Sequence, residues 1–355
     1  MVEAATPLVG VAVKNLYKIF GPTPEKFLQP VRDGMSKQEL RDTHGHVLGL
    51  RDISIDMPAG AIQVVMGLSG SGKSTLIRHI NRLIDPTAGE IWVGADDVVQ
   101  MSARRLLRFR RERTAMVFQK FALFPHMTVV ENAAFGLQIQ HISPKKRHAC
   151  AMRWVERVGL KGYEDNYPNQ LSGGMQQRVG LARALANDAP ILLMDEAFSA
   201  LDPLIRGDMQ SVLLDLQQEL SKTIVFITHD LDEALRLGDR IAILRDGEVV
   251  QQGTGQQIVL QPANDYISSF VKDVNRGRVI RCRTLMKTGA PVQGPEVDAS
   301  MVIEEAARLL SGVGQEAANV VSSKGRHLGT LSMADIIAAM VPPNVESSTQ
   351  PTPLS

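Results

Sequence analysis

Three segments of this chain hold residue types whose spacing could carry out phosphate chemistry. The first, Gly67-Leu-Ser-Gly-Ser-Gly-Lys-Ser74, matches G-x-x-x-x-G-K-[ST] directly after an apolar run and before a helical pattern. Gly67, Gly70 and Gly72 let successive backbone N–H groups face one anion, and the helix N-terminus adds its positive dipole end. Ser69, Ser71 and Thr75 belong to the same cradle. Lys73 is spaced to reach β and γ phosphates, and Ser74 to ligate Mg2+. The second, Ile191-Leu-Leu-Met-Asp195-Glu196, is an apolar strand ending in two acids. Beside a phosphate loop, Asp195 is expected to hold Mg2+ through its water shell and Glu196 to polarise an attacking water. His229, at the end of the strand-like run Thr223–Thr228, could contact a γ-phosphate. The third, Leu171-Ser-Gly-Gly-Met-Gln-Gln-Arg178, reads as a helix start in which Ser172 caps and Gly173 and Gly174 expose N–H groups to an anion. Adjacent glycines cost about 1 kcal/mol each inside a helix, so a plain capped helix has no need of them.

The elements that must position these residues follow an α/β pattern. Strand-like runs open the chain at Val9–Val13 and Ile53–Met57, and Ile62–Met66 suits a buried strand. Ala189–Met194, Thr223–Thr228 and Arg240–Leu244 predict further strands, with an amphipathic helix at Pro203–Leu220. Such alternation implies a mostly parallel sheet. From about Pro125 to Asn187 the pattern is helical and reads as a helical subdomain (about 125–187). Between the first two strands lies a polar stretch, Gly21–His46, with Pro22, Pro24 and Pro30 and a helix start at Ser36 with Glu39 three residues on. After Asn275 the pattern becomes β-α-β-β-α. Arg276–Thr288 is basic and strand-like, Ser300–Leu310 helical, Asn319–Val321 and Leu328–Leu331 strands, and Met333–Met340 a helix. The expected organisation is therefore an ATPase-type core over 8–275, a small module over 276–341 and a disordered Pro-, Ser- and Thr-rich tail over 342–355.

Composition narrows the class. The 355 residues carry a formal net charge of +1, which argues against a protein whose business is neutralising nucleic-acid phosphates. Arg104, Arg105, Arg108, Arg110, Arg111 and Arg113 read as a solvated helix face. The 2 cysteines, Cys150 and Cys282, lie far apart without metal-type spacing and imply a reducing cytosol. Met1 to Gly10 shows no basic region followed by an apolar core, so no secretory leader is expected. No run of about 18 apolar residues occurs, so any membrane role is expected to come through a partner.

With these motifs in order, the chain resembles the ATP-binding-cassette (ABC) transporter ATPases, whose signature is matched by Leu171-Ser-Gly-Gly-Met175. The resemblance covers roughly 8–275 and implies ATP and Mg2+ as ligands. It makes Gln119 the glutamine that senses Mg2+ and links to membrane subunits, and His229 the switch histidine. Ser199-Ala-Leu-Asp202 becomes the loop that crosses to the opposing monomer, and Phe20 an aromatic under the adenine ring, a core aromatic being the equal alternative. It also implies a head-to-tail homodimer, with Ser172, Gly173, Gly174 and Asp202 completing the partner's nucleotide site and Glu196 as general base. The implied partners are integral-membrane permease subunits and, indirectly, a periplasmic or extracellular substrate-binding protein, at the cytoplasmic face of a bacterial inner membrane.

Met116-Val-Phe-Gln-Lys-Phe-Ala-Leu-Phe-Pro-His-Met-Thr128 is similar to importer ATPases. The Gly21–His46 stretch is similar to subunits serving glycine betaine, proline betaine and choline uptake. Thr284-Leu-Met286 and Gly325–Asp335 resemble one cystathionine-β-synthase-type (CBS) regulatory module; its arginines Arg276, Arg278, Arg281 and Arg283 could read ionic strength at an anionic membrane, a module that merely stabilises the dimer being the equal alternative. A histidine or other amino-acid importer is the alternative, and a soluble non-transport ATPase of the same class a remote one. Phe121-Ala-Leu-Phe124 is expected on a surface loop whose apolar side chains need a permease partner.

Overall fold

A computed structural model describes residues 8–341, so the tail expected at 342–355 lies outside the described residues. The chain divides between Gly255 and Gln256 into two compact units. The first holds strands β1 (Val11–Phe20), β2 (Val47–Met57), β3 (Ile62–Met66), β4 (Ala88–Val93) and β5 (Asp96–Asp97). It continues with β6 (Thr114–Val117), β7 (Ile191–Asp195), β8 (Thr223–Thr228), β9 (Arg240–Arg245) and β10 (Glu248–Gly253).

An antiparallel sheet runs β2-β1-β4-β5, and a second sheet runs β10-β9-β3-β8-β7-β6. In the second sheet every pairing is parallel except the edge pair of β9 with β10. Every residue of β3, β7 and β8 is buried. Strands covered on both faces lose the alternating pattern and read as continuous apolar runs, which is why the sequence marked β3, β7 and β8. Register then decides where the chemistry falls. Met66 pairs with Thr228, and Asp195 with Ile227, so β3, β8 and β7 finish together at one edge of the sheet. The residues that follow them converge at their carboxyl ends, the usual ligand-binding edge of such sheets.

β1 and β2 are longer than their sequence patterns predict. Left-handed backbone at Asn15 and Asp52 breaks the alternation, and Asn15 Nδ2 donates to Asp52 Oδ1 at 2.9 Å. Their far ends pair as Phe20 with Val47, so Gly21–His46 is the long connection of a hairpin. That connection folds into helices Leu28–Arg32 and Lys37–His44, the second capped by the Ser36 hydroxyl, which accepts from Glu39 N. Val31 and Leu40 bury against Tyr17, Ile19 and Leu48 as a separate small core.

The stretch expected to be helical contains helices Val129–Ile139, Pro144–Arg157 and Gly173–Ala186. Thr128 and Glu131 close a reciprocal capping box on the first of them. The arginine patch is only partly a solvated face. Arg108 pairs with Glu112 at 2.9 Å on the surface, but Arg110 Nε turns inward to the Asn81 carbonyl at 2.9 Å.

In the second unit, β11 (Glu296–Asp298), β12 (Ala317–Val321) and β13 (His327–Ser332) form one sheet, β11 parallel and β13 antiparallel to β12. Helices Ile303–Val313 and Met333–Met340 accompany it, and Val297, Ile303, Leu310, Val320, Leu331 and Ile336 lie in the core. The strand expected over Arg276–Thr288 is not one. Residues Arg276–Arg278 form a 3-10 turn and Cys282–Leu285 a short helix, and the first strand comes at Glu296. The Asn275 side chain accepts from Gly277 N and Ile280 N donates back to Arg276 O, which turns the backbone; buried Ile280 and Cys282, two residues apart, imitate a strand. The arginines there are engaged, Arg278 with Glu304 at 2.9 Å and Arg281 with the Ser300 carbonyl at 3.4 Å. Leu260 packs on this core as well, which moves the division of the chain ahead of residue 275.

His79, on helix Lys73–Ile80, is fully buried, and its Nδ1 is 2.6 Å from the Thr75 carbonyl. Burial penalises the imidazolium and pushes its pKa down from 6.5 to about 4. Above 6.5 the ring is neutral whether folded or unfolded, and its contribution to stability is intact. As pH falls from 6.5 towards 4 the unfolded chain takes the proton first, so stability drops by up to about 3 kcal/mol. Urea unfolding across that window should show a His79→Leu variant losing this part of the acid slope. Equal slopes in variant and parent would contradict the assignment.

Candidate functional site

The loop Gly67–Gly72 joins the buried strand β3 to helix Lys73–Ile80, and its glycines hold backbone that other residues rarely adopt. Gly67, Gly70 and Gly72 have φ of 152°, 78° and 100°. A Cβ on Gly67 would fall onto the Leu244 carbonyl oxygen, and one on Gly72 would come 2.8 Å from Gly49 O. At Gly70 a Cβ would meet nothing within 4 Å, because that glycine faces the open cradle. Inside the loop, the buried Ser71 hydroxyl has no hydrogen-bond partner within the chain. Lys73, only 4% exposed, donates to the carbonyls of Gly67 at 2.8 Å and Leu68 at 3.1 Å. An orphaned hydroxyl, a buried ammonium satisfied by loop carbonyls and a cradle without Cβ atoms are what a bound phosphate group requires.

The two acids at the end of β7 face this loop in different ways. Asp195 Oδ1 accepts from Ser74 Oγ at 2.7 Å and Oδ2 from Arg78 Nη2 at 3.3 Å. A hydroxyl and a carboxylate in contact, with a side-chain amide nearby at Gln119, form an oxygen-rich set that suits Mg2+ shared with phosphates. Glu196 has a left-handed φ of 47°, a strained conformation for this residue type, held by Glu196 N donating to Ile227 O at 3.1 Å. Its carboxylate gathers three side chains from three elements. Lys73 Nζ lies at 3.6 Å, His229 Nδ1 at 3.6 Å, and Gln119 Nε2 donates at 3.2 Å. Ser199 Oγ also accepts from Gln119, at 3.4 Å, and donates to the Glu196 carbonyl.

A cavity of about 440 Å³ runs from this cluster along the loop. Gly70, Lys73, Ser74, Thr75, Gln119 and Glu196 line it together with Phe20, Val47 and Leu48, and with Ser69, Gly72, Gly49 and Lys37. The structure therefore brings together most residues singled out in the sequence, Phe20 included. Phe20 stands at the end of β1 over Gly49, where a Cβ would meet its ring at 2.6 Å. Ser172, Gly173, Gly174 and Asp202 do not line the cavity. Ser172, Gly173 and Asp202 are exposed at the starts of helices Gly173–Ala186 and Pro203–Leu220. Ser172 caps its helix by accepting from Met175 N, and a Cβ on Gly174 would strike Ile205 at 2.7 Å.

Phe121–Phe124 is more enclosed than its pattern predicts. Phe124 packs on Phe135 with ring centroids 4.4 Å apart, and Arg183 donates to the carbonyls of Ala122 at 2.6 Å and Phe121 at 3.1 Å. Aromatic side chains here find partners on neighbouring helices of the same chain, a contact no local pattern reports. Sequence reasoning also missed Lys37 and Arg78. Arg78 was open to detection, since it lies four residues after Ser74 on one helix face.

Comparison with known proteins places this geometry in a class. Residues 50–199 match the family described as ABC transporter. The chain is 47% identical over 330 residues to the glycine betaine transport ATP-binding protein OpuAA of Bacillus subtilis, covering 92% of this chain and 77% of that protein. It is 46% identical to the glycine betaine/proline betaine transport system ATP-binding protein ProV of Salmonella typhimurium, covering 94% and 83%. Among solved structures, the ATP-binding cassette MJ0796, described as a dimer in a post-hydrolysis state bound to ADP and Pi, aligns with a TM-score of 0.59 at 32% identity. That alignment covers 69% of this chain and 98% of that one. The chain belongs to the ABC transporter family and has its ATP-binding-cassette fold. Within the family its strong similarity is to the ATP-binding proteins of glycine betaine and proline betaine transport systems.

Gly67→Ala and Gly70→Ala separate folding from phosphate binding. Alanine at Gly67 must displace the Leu244 carbonyl and should lower the unfolding midpoint by several degrees. Alanine at Gly70 should cost about 1–2 kcal/mol for its positive φ while its methyl fills the cradle and removes ATP binding. Calorimetric melts and ATP titration of both variants check this; intact binding in Gly70→Ala would contradict the cradle.

Proposed function

We propose that this chain is the ATP-hydrolysing subunit of an importer for quaternary ammonium compounds, glycine betaine and proline betaine being the leading substrates. The observation that carries the ATPase reading is the convergence of Lys73, Gln119 and His229 on the Glu196 carboxylate beside an open phosphate cradle. Substrate class rests on the relatives: transport ATP-binding proteins for glycine betaine and proline betaine align along more than three quarters of their own length. A trimethylamine N-oxide transport ATP-binding protein of Ruegeria pomeroyi at 44% identity widens that class to small, net-neutral solutes with a fully substituted, methylated nitrogen.

In this reading the loop N–H groups and Lys73 bind the β and γ phosphates. Ser74, with Asp195 and Gln119, would hold Mg2+, which would supply positive charge to neutralise the phosphates. Glu196 accepts the proton of the attacking water, and Gln119 and His229 fix the orientation of its carboxylate. Phe20 and Val47 offer an apolar face to the adenine ring. Ser172, Gly173, Gly174 and Asp202 stand outside the cavity of their own chain and serve a second copy in a head-to-tail homodimer. Among the described residues no helix is long and apolar enough to cross a membrane. Its likeness to transport ATP-binding proteins supports work at the cytoplasmic face against integral-membrane permease subunits. A separate substrate-binding protein delivers the solute to them. The C-terminal β-α-β-β-α unit is read as a single CBS-like module.

Replacing the carboxylate by an amide keeps the shape of the site and removes the proton acceptor. Glu196→Gln should bind ATP within about twofold of the parent and hydrolyse it at least about 100-fold more slowly. Turnover within a few-fold of the parent would remove Glu196 from the role of base.

A further inference from the structure

The Gly21–His46 connection reaches the nucleotide cavity through one side chain, Lys37. Nothing in the phosphate loop, the acids or the signature accounts for it. The segment that carries it is a fixed wall. His46 spans its base, with Nδ1 2.6 Å from the His44 carbonyl and Nε2 2.6 Å from the Pro22 carbonyl. Phe27 stacks 4.3 Å from the His46 ring, and Leu40 is fully buried. Arg51 of β2 donates to the Met35 carbonyl at 2.5 Å, tying the segment to the sheet two residues before Lys37. Lys37 then opens the capped helix Lys37–His44, so its backbone is set while its side chain is half-exposed.

Its present partner is easily exchanged. Lys37 Nζ lies 3.4 Å from Asp246 Oδ1, and Asp246 is 70% exposed with Arg245 Nε 3.6 Å from its other oxygen. An exposed ion pair of that length contributes little, and Asp246 keeps a second cation if Lys37 leaves. Asp246 precedes Gly247, whose N–H donates to the Ser71 carbonyl at 3.2 Å. Lys37 is thus tethered at the flank of the phosphate loop, in a cavity also lined by apolar Phe20 and Val47. A nucleotide with its base against Phe20 and its terminal phosphates on Lys73 places its α-phosphate between the two.

We infer that Lys37 is a nucleotide-binding residue supplied by the inserted segment, its ammonium leaving Asp246 to contact the α-phosphate. The inference rests on the reading of the cavity as an ATP site and adds a cation that the phosphate loop does not contain. The α-phosphate is common to ATP and ADP, so the contact stabilises both complexes equally and leaves discrimination between them to Lys73.

Calorimetric titration of the full chain with ATP and ADP, with Mg2+, at low and high salt, tests it with three variants. Lys73→Ala must lose ATP binding; if it does not, the cavity reading itself is wrong, and Lys37 with it. Given that loss, Lys37→Met should raise the Kd for ATP and ADP alike by about fivefold at low salt, the difference shrinking at high salt. Lys37→Arg should return both to within about twofold of the parent, with unchanged unfolding midpoints in both variants. Parent-like affinity of Lys37→Met, a loss confined to ATP, or no rescue by arginine would each overturn the assignment.

Discussion

A buried ammonium facing a strained carboxylate is the interaction on which the first unit depends. Lys73 is almost wholly enclosed, and the carbonyls of Gly67 and Leu68 share it with Glu196. A charge taken out of water is tolerable only when paired and hydrogen-bonded. The partners here are two loop carbonyls and the Glu196 carboxylate. Satisfying Lys73 therefore fixes the loop against the end of β7.

The remaining architecture follows from bringing those groups to one edge. Parallel pairing of β3, β8 and β7 ends three strands together, so the loop after β3, the acids of β7 and His229 after β8 meet without long connections. Full burial of these strands removes water from below the site, and Glu196 at 18% side-chain exposure faces the cavity with limited solvent around it. The antiparallel sheet adds an apolar wall, because β1 ends at Phe20 and β2 begins at Val47, both lining the cavity.

Much of this was legible in the sequence where the signal is local. Strands β3 and β8 and helices Pro203–Leu220 and Met333–Met340 have the bounds their patterns predict, because continuous burial, a proline at the first helical position or a serine cap leaves one reading. Glycine spacing disclosed the cradle for the same reason: only glycine holds those φ values at that approach. What escaped was tertiary. Left-handed backbone at Asn15 and Asp52 interrupts the alternation within β1 and β2, so their patterns stop short of the strands, and Arg276–Thr288 takes the look of a strand from two core residues on a turning backbone. Lys37 is invisible as a ligand in one dimension, since it lies 36 residues before Lys73 in a polar stretch and reaches the cavity only through the fold.

In the proposed head-to-tail dimer each catalytic site is shared between two chains, and the exposed signature residues do not line the cavity of their own chain. Mixing complementary defects measures this directly. A Lys73→Ala chain lacks phosphate binding, and a Ser172→Arg chain lacks a usable signature; each alone should be inactive. In an equimolar mixture half the dimers are mixed and each carries one intact composite site, so ATPase activity should return to about a quarter of the parent's. No recovery in a mixture shown by light scattering to contain mixed dimers, or full activity of the Ser172→Arg chain alone, would contradict the account.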